Sequence, residues 1–192
     1  DGVVVDIRQN TEFGAGHVPN SINIGLGGQF ASWAGTLITI GTPVAIVAET
    51  QEQVDEAFMR LARVGIETVK GFILIGEYSG ETKQVTQVTV GEAKEAIGDG
   101  VQFVDVRRIQ EHAAGHAPNT INLPLDRLTR ELDILDPTKP TYVICQGGYR
   151  SSIGTGILEN AGFNEIYNVL GGTKAWTDAG LETEVSSASC AV

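Results

Sequence analysis

The segment Val143–Ser152, VICQGGYRSS, places a cysteine at the end of an apolar run, ahead of two glycines and an arginine. Gly147 and Gly148 allow the backbone to curl so that successive N–H groups turn inward as an anion-holding nest. The start of the following helix adds partial positive charge at the same point. Arg150 offers a planar guanidinium at the rim, suited to an oxyanion. Such a cradle is expected to draw the Cys145 thiol from a pKa of ~8.5 into the ~3.5–7.5 range, making a nucleophilic thiolate at neutral pH. The plain alternative is a buried, inert cysteine closing a strand. A phosphate loop of the Walker type is excluded, because no Gly-Lys-Ser/Thr follows at the required spacing.

The elements around the loop are those that would aim it. TYVIC is a β-rich apolar strand that ends on Cys145, and SSIGTGILENAG predicts a helix closed by Gly162. Earlier strands are predicted at QVTQVTV, VQFVDV and TINLPL, and a last one at NEIYNVLGG, before a short helix over TKAWTDAG. Thr89-Val90-Gly91-Glu92 has the form of a capping box, opening a helix through Ile97. Strands alternating with helices, with near-continuous apolar strands, predict a parallel sheet covered by helices on both faces.

The chain also repeats itself. Displaced by 99 positions, DIRQNTEFGAGHVPNSINIGL (6–26) falls on DVRRIQEHAAGHAPNTINLPL (105–125) with 11 of 21 residues identical. Displaced by 97, Pro43 falls on Pro140 and RVGIETV on NAGFNEI. Two copies of one α/β domain follow. In copy one Ala48 stands in the place of Cys145 and Gln53 in that of Arg150, with Glu49, Glu52 and Asp55 crowding the loop. Helix 51–64 keeps Val54, Ala57, Phe58 and Leu61 at core spacing, so copy one is expected to fold. GEYSGETKQ (76–84) reads as the linker. Copy one has no counterpart of residues 83–99, and the chain opens on Asp1-Gly2-Val3 without an initiator Met. Both observations lead to the expectation that the natural chain continues upstream and supplies the missing cover.

Composition narrows the partners. Lys+Arg 13 against Asp+Glu 24 gives a net charge of −11, which argues against nucleic acid and anionic membranes. No apolar run approaches the ~20 residues of a membrane span. Two cysteines, Cys145 and Cys190, make no disulfide framework, and a reducing cytoplasm is the expected location.

Both copies resemble rhodanese (sulfurtransferase) domains. The pieces that carry the resemblance in copy two are FVDVR, AAGHAPNTINLPL, CQGGYRS and NVLGGTKAW. The resemblance implies a non-catalytic domain over residues 1–78, N-terminally incomplete, a catalytic domain over 83–185 and a tail over 186–192. It implies a sulfurtransferase that takes a sulfane sulfur from thiosulfate or a low-molecular-weight persulfide. The sulfur is held as a persulfide on Cys145 and passed to sulfite, cyanide or a thiol, with no cofactor. Gln146, Gly147, Gly148, Tyr149 and Arg150 are the implied substrate-binding loop. Six residues from Cys145 to Arg150 match the rhodanese loop; the related phosphatases and arsenate reductases have one residue more. Commoner rhodanese loops put a lysine or arginine after the cysteine, so Gln146 makes this rim less cationic. The order of inactive then active copy is similar to the C-terminal part of metallo-β-lactamase-fold persulfide dioxygenases fused to rhodanese domains, which would make such a domain an upstream partner. Free-standing tandem rhodaneses share the same order. The alternative function is a protein-docking module whose cysteine is incidental.

Residues shared by the two copies are assigned to the scaffold. These are Asp105 and Arg107 with Asp6 and Arg8, read as a network with Glu111 at the strand end, and His17 and His116 in their GHxPN turns. With His112 the histidines lack metal-ligand spacing, so no metal site is expected. Tyr149 packs on substrate or faces solvent. Arg108 and Arg127 occur only in copy two and are candidate guides for an anionic donor, against the plainer reading as surface charges. Cys190, in SSASCAV, reads as a tail thiol.

Overall fold

The structure is a computed structural model and describes residues 2–98 and 100–186. It divides into two compact units, Asp1–Val85 and Thr86–Val192. Unit 1 contains β1 (Val3–Asp6), α1 (Asn10–Ala15), β2 (Ser21–Asn23), α2 (Phe30–Leu37), β3 (Val44–Ala48), α3 (Gln51–Ala62) and β4 (Val69–Leu74). Unit 2 contains β5 (Thr86–Val88), α4 (Val90–Ala96), β6 (Gln102–Asp105), α5 (Ile109–Ala113), β7 (Ile121–Asn122), α6 (Leu125–Leu128), β8 (Thr141–Ile144), α7 (Tyr149–Asn160), β9 (Ile166–Val169) and α8 (Gly172–Asp178). The sheets run β2-β1-β3-β4 and β5-β9-β8-β6-β7, and every paired strand is parallel. The fold is therefore the expected pair of α/β units.

The strands that position the loops are the short β-branched ones. Val3-Val4-Val5, Val44–Ala48 and Thr141–Ile144 favour extended backbone, and their central places in the sheets bury most of their residues, with Val3, Val4, Ala45 and Tyr142 half-buried. β8 pairs with β6 from Gln102↔Thr141 to Asp105↔Ile144, so β8 and β6 end level with one another. Loops at the C-terminal edge of such a sheet are where α/β proteins gather chemistry. Cys145 is the first residue beyond β8, and α7 follows.

α7 is buried continuously from Ser151 to Leu158, without an exposed stripe. Its small residues allow this close approach. A Cβ on Gly154 would lie 3.4 Å from Val143 and 3.5 Å from Val106. The buried hydroxyls are satisfied within the helix: Ser151 Oγ donates to Gly148 O (3.1 Å) and Thr155 Oγ1 to Ser152 O (2.8 Å). On the other side of the sheet's apolar content, Val88, Ala93, Phe103, Ala117, Ile144, Val169 and Trp176 form one cluster. It brings β5, α4 and α8 together over β6 and β8.

α4 opens as its sequence predicts. Thr89 Oγ1 accepts from Glu92 N (3.2 Å), and the Glu92 carboxylate accepts from Thr89 N (2.7 Å). Removing the cap with Thr89→Ala is expected to lower the unfolding free energy by about 1 kcal/mol, read from chemical denaturation.

Two expectations need revision, and a third is matched. Phe58 is 41% exposed on α3, while Val54, Ala57 and Leu61 are buried, so the core stripe of that helix is narrower than its apolar spacing. Part of the stretch read as linker and start of the second domain belongs to unit 1. Lys83 and His17 exchange backbone bonds (2.9 and 3.0 Å), and Val85 N donates to Gly14 O (3.1 Å). These ladder bonds outweigh the polar composition that marked the segment as free. Finally, β4 pairs only with β3 among the described residues, whereas its counterpart β9 pairs with both β8 and β5. Phe72 on β4 is 46% exposed.

Candidate functional site

Cys145 is 1% exposed, and its Sγ is enclosed by its own loop. Gly148 N donates to Sγ at 3.1 Å, and the thiol lies 3.5 Å from Ser151 Oγ. Gly148 makes this possible: at φ +98 it takes a left-handed conformation that turns its N–H back toward the sulfur. It is also the residue preceding α7, and no side chain caps that helix. Gly147 is outside the left-handed region, and nothing lies within 4 Å of where its Cβ would stand, so the two glycines are not equivalent.

The back of the loop is held by α8. Thr173 N donates to Cys145 O (2.8 Å) and Lys174 N to Gln146 O (3.1 Å), while Thr173 Oγ1 donates to Gln146 Oε1 (3.2 Å). Gln146 is exposed and lines a cavity of about 560 Å³ together with Arg107, Glu111, Thr173, Lys174 and Asp178. Neither Ser151 nor Thr173 stands out from sequence periodicity. The Gly171-Gly172 pair after β9 is the one local signal that something approaches α8 closely.

Arg150 does not stand free at the rim. Its Nη1 and Nη2 donate to the two carboxylate oxygens of Glu111, each at 2.7 Å. The fork-to-fork contact holds the Glu111 carboxyl down at about 2 and raises the Arg150 guanidinium further. Glu111 also accepts from Arg108 N at the start of α5 (3.1 Å). The expected Asp–Arg–Glu111 network is thus two separate pairs. Asp105 binds Arg107 through Nε (3.0 Å) and Nη2 (2.7 Å), both residues buried, and Arg107 Nη2 also donates to Gly115 O (2.8 Å). Unit 1 repeats this second pair in detail: Arg8 binds Asp6 and donates to Gly16 O (2.8 Å). Asn122 Nδ2 ties Asp105 O to Arg107 O, as Asn23 does for Asp6 O and Arg8 O.

The corresponding loop of unit 1 has satisfied its donors with its own side chains. α3 begins three residues after Ala48, capped by Thr50, whose Oγ1 accepts from Gln53 N (3.3 Å). Gln53 Oε1 accepts from Glu49 N (2.9 Å). A cavity of about 300 Å³ remains, lined by Arg8, Glu12, Glu49, Gln53 and Glu56, without a nucleophile.

Tyr149 is half-buried at the first position of α7. Arg108 and Arg127 meet at a separate small cleft of about 190 Å³ with Asp126. His17 and His116 bond the backbone of their turns, at Phe13 O (3.0 Å) and His112 O (2.9 Å). Cys190 and the tail beyond Ser186 lie outside the described residues. His112 stacks on His116 with ring centroids 3.7 Å apart, where copy one has Phe13 on His17. Burial and the neighbouring His116 push His112 down to about 4. Its folded value lies below the unfolded one, so the unfolded chain takes up the proton first. Stability is expected to fall as pH drops from about 6.5 to about 4, by on the order of 2 kcal/mol. His112→Phe should flatten that part of the pH–stability profile measured by thermal unfolding.

The rhodanese-like domain model matches residues 1–80 and 89–179. The chain belongs to the rhodanese-like family. Each unit of the fold is one rhodanese-like copy. Thiosulfate sulfurtransferase 18 of Arabidopsis thaliana is 32% identical over 114 residues, covering 52% of this chain and 84% of that protein. Two Bacillus subtilis relatives, YrkF and YqhL, are 27% and 37% identical over 105 and 75 residues, and cover 53% and 39% of this chain. The chain spans 57% and 60% of their respective lengths. Among solved structures, a rhodanese-like domain protein from Staphylococcus aureus is 34% identical with a TM-score of 0.48, over 54% of this chain and 100% of that one. Among the described residues no helix is long and apolar enough to cross a membrane.

Proposed function

We propose that unit 2 is a sulfurtransferase that works through a persulfide on Cys145. The observation that carries this reading is the placement of Cys145 at the end of β8 with the Gly148 amide on its sulfur, in the copy whose helix start is left uncapped. The relative named as a thiosulfate sulfurtransferase supports the reaction class. The Cys145 thiolate attacks the outer sulfur of a thiosulfate or a low-molecular-weight persulfide. A new S–S bond forms, the donor's S–S bond breaks, and sulfite or a thiolate departs with the electron pair. A thiophilic acceptor (sulfite, cyanide or a thiol) then attacks the terminal sulfur, and Cys145 leaves as thiolate. The balance needs no cofactor and no external oxidant. Within the loop, Gly148 supplies an amide to the sulfur, Ser151 a hydroxyl beside it, and Gln146 a polar wall toward the cavity.

Unit 1 in this reading is non-catalytic, because Ala48 replaces the nucleophile and Thr50 and Gln53 occupy the loop donors. The open edge of β4 supports a covering segment contributed from elsewhere in a longer chain, and the resemblance names a metallo-β-lactamase-fold oxidation domain as that neighbour. The test of function is turnover. Purified protein given thiosulfate, or a persulfide donor, with cyanide should produce thiocyanate, and Cys190→Ser should retain the activity. Absence of turnover with every donor and acceptor pair would favour the docking-module reading instead.

A further inference from the structure

Every cation at the mouth of the Cys145 loop already has its carboxylate. Arg107 is held by Asp105 (2.7 Å), Arg150 by Glu111 (2.7 Å) and Lys174 by Asp178 (2.5 Å). The six charges sum to zero, and the residue following the nucleophile is the uncharged Gln146. The three pairs differ in what they could release. Asp105 is fully buried beneath Arg107 and ties down the strand end, so its charge is part of the scaffold. Lys174 and Asp178 are 71% and 63% exposed, where solvent screens them. Glu111 also lies on the cavity wall, but at 35% exposed it is less open to solvent than the Lys174–Asp178 pair, and it holds a guanidinium that is 16% exposed. Arg150 in turn is the last residue of the six-residue loop that opens on Cys145.

We propose that Glu111 is a specificity-determining residue. By neutralising Arg150 it keeps the mouth from favouring small dianionic donors such as thiosulfate, and leaves it open to donors whose charge lies away from the reacting sulfur. This rests on Cys145 being the reactive thiol. Glu111 acts through Arg150 and does not itself touch the sulfur, so its removal should change the selectivity for charge at the mouth.

The experiment reads that selectivity without requiring sulfur transfer. Cys145 is alkylated by iodoacetate, an anion, and by iodoacetamide, its neutral counterpart, in a Cys190→Ser background, and the ratio of the two rate constants is taken. An unpaired charge within the same short loop, in a partly screened site, is worth a factor on the order of ten. Glu111→Gln is therefore expected to raise the iodoacetate-to-iodoacetamide ratio by roughly five- to tenfold at low salt, an effect that shrinks at high salt. The double variant Glu111→Gln/Arg150→Gln should lose the increase. Gln146→Lys, which adds a cation while leaving the pair intact, should move the ratio in the same direction. In donor assays Glu111→Gln should shift kcat/KM toward thiosulfate relative to a glutathione-type persulfide by a similar factor. A ratio that stays put in Glu111→Gln, or rises equally in the double variant, overturns the proposal while leaving Cys145 as the nucleophile. A ratio that shifts as expected in a protein that transfers no sulfur upholds the electrostatic role and overturns the sulfurtransferase reading. A thiol inert to both reagents overturns the two together.

Discussion

Cys145→Ser is expected to reduce sulfur transfer by on the order of a thousandfold or more, with every donor and acceptor. Serine preserves the volume and the hydrogen-bonding site beside Gly148 N and Ser151 Oγ, so the fold should remain. The change in unfolding free energy should stay within about 1 kcal/mol. What is lost is the sulfur that both attacks the donor and later leaves from the persulfide; a hydroxyl does neither at neutral pH. Steady-state thiocyanate formation together with a denaturation curve separates the two effects. Comparable turnover in the serine variant would place the chemistry elsewhere in the chain.

Gly172→Ala is the largest structural change expected from a single methyl group. A Cβ at Gly172 would lie 2.1 Å from Cys145 O, 2.7 Å from Gln146 C and 2.8 Å from Gln146 O. All three are backbone atoms of the loop, so no side chain can rotate away. The residue also has φ +57, a conformation costly for alanine. Either α8 moves, breaking the bonds from Thr173 N and Lys174 N to the loop carbonyls, or the loop moves and takes Cys145 with it. A loss on the order of 4 kcal/mol of unit 2 stability is expected, with sulfur transfer falling at the same time. Gly147→Ala is the stability control. Its Cβ would meet nothing within 4 Å, and the expected change is within about 0.5 kcal/mol. Equal stabilities for the two variants would show that the contact between α8 and the loop is not tight.

The parts of the fold legible in the sequence are those set by short-range rules. The capping box at Thr89 and Glu92, the β-branched run into Cys145 and the internal repeat each lie within a few residues or a fixed displacement. The site was legible to the same extent: a cysteine, a left-handed glycine and a helix start all occur within Cys145–Tyr149. Its electrostatics were not. Arg150 finds Glu111 across 39 residues, and sequence spacing had put Glu111 beside Arg107 instead. Both arginines reach the same end of the sheet, and only the three-dimensional arrangement decides which carboxylate each one meets. Gly172 is similar. Its need for a bare Cα comes from a carbonyl 27 residues earlier, and a Gly-Gly pair says only that some backbone comes close. Phe58 errs in the opposite direction, because an apolar residue at core spacing is buried only where a neighbour exists to cover it.

The most direct measurement is the intact mass of the protein after brief exposure to thiosulfate or glutathione persulfide and removal of the donor, followed by peptide mapping. The expected result is the addition of a single sulfur atom, mapped to Cys145 and discharged by cyanide. It should be absent from Cys145→Ser and retained in Cys190→Ser. Sulfur loaded onto the Cys145→Ser variant, or a wild-type protein that gains none from either donor, would contradict the assignment of Cys145 as the sulfur carrier.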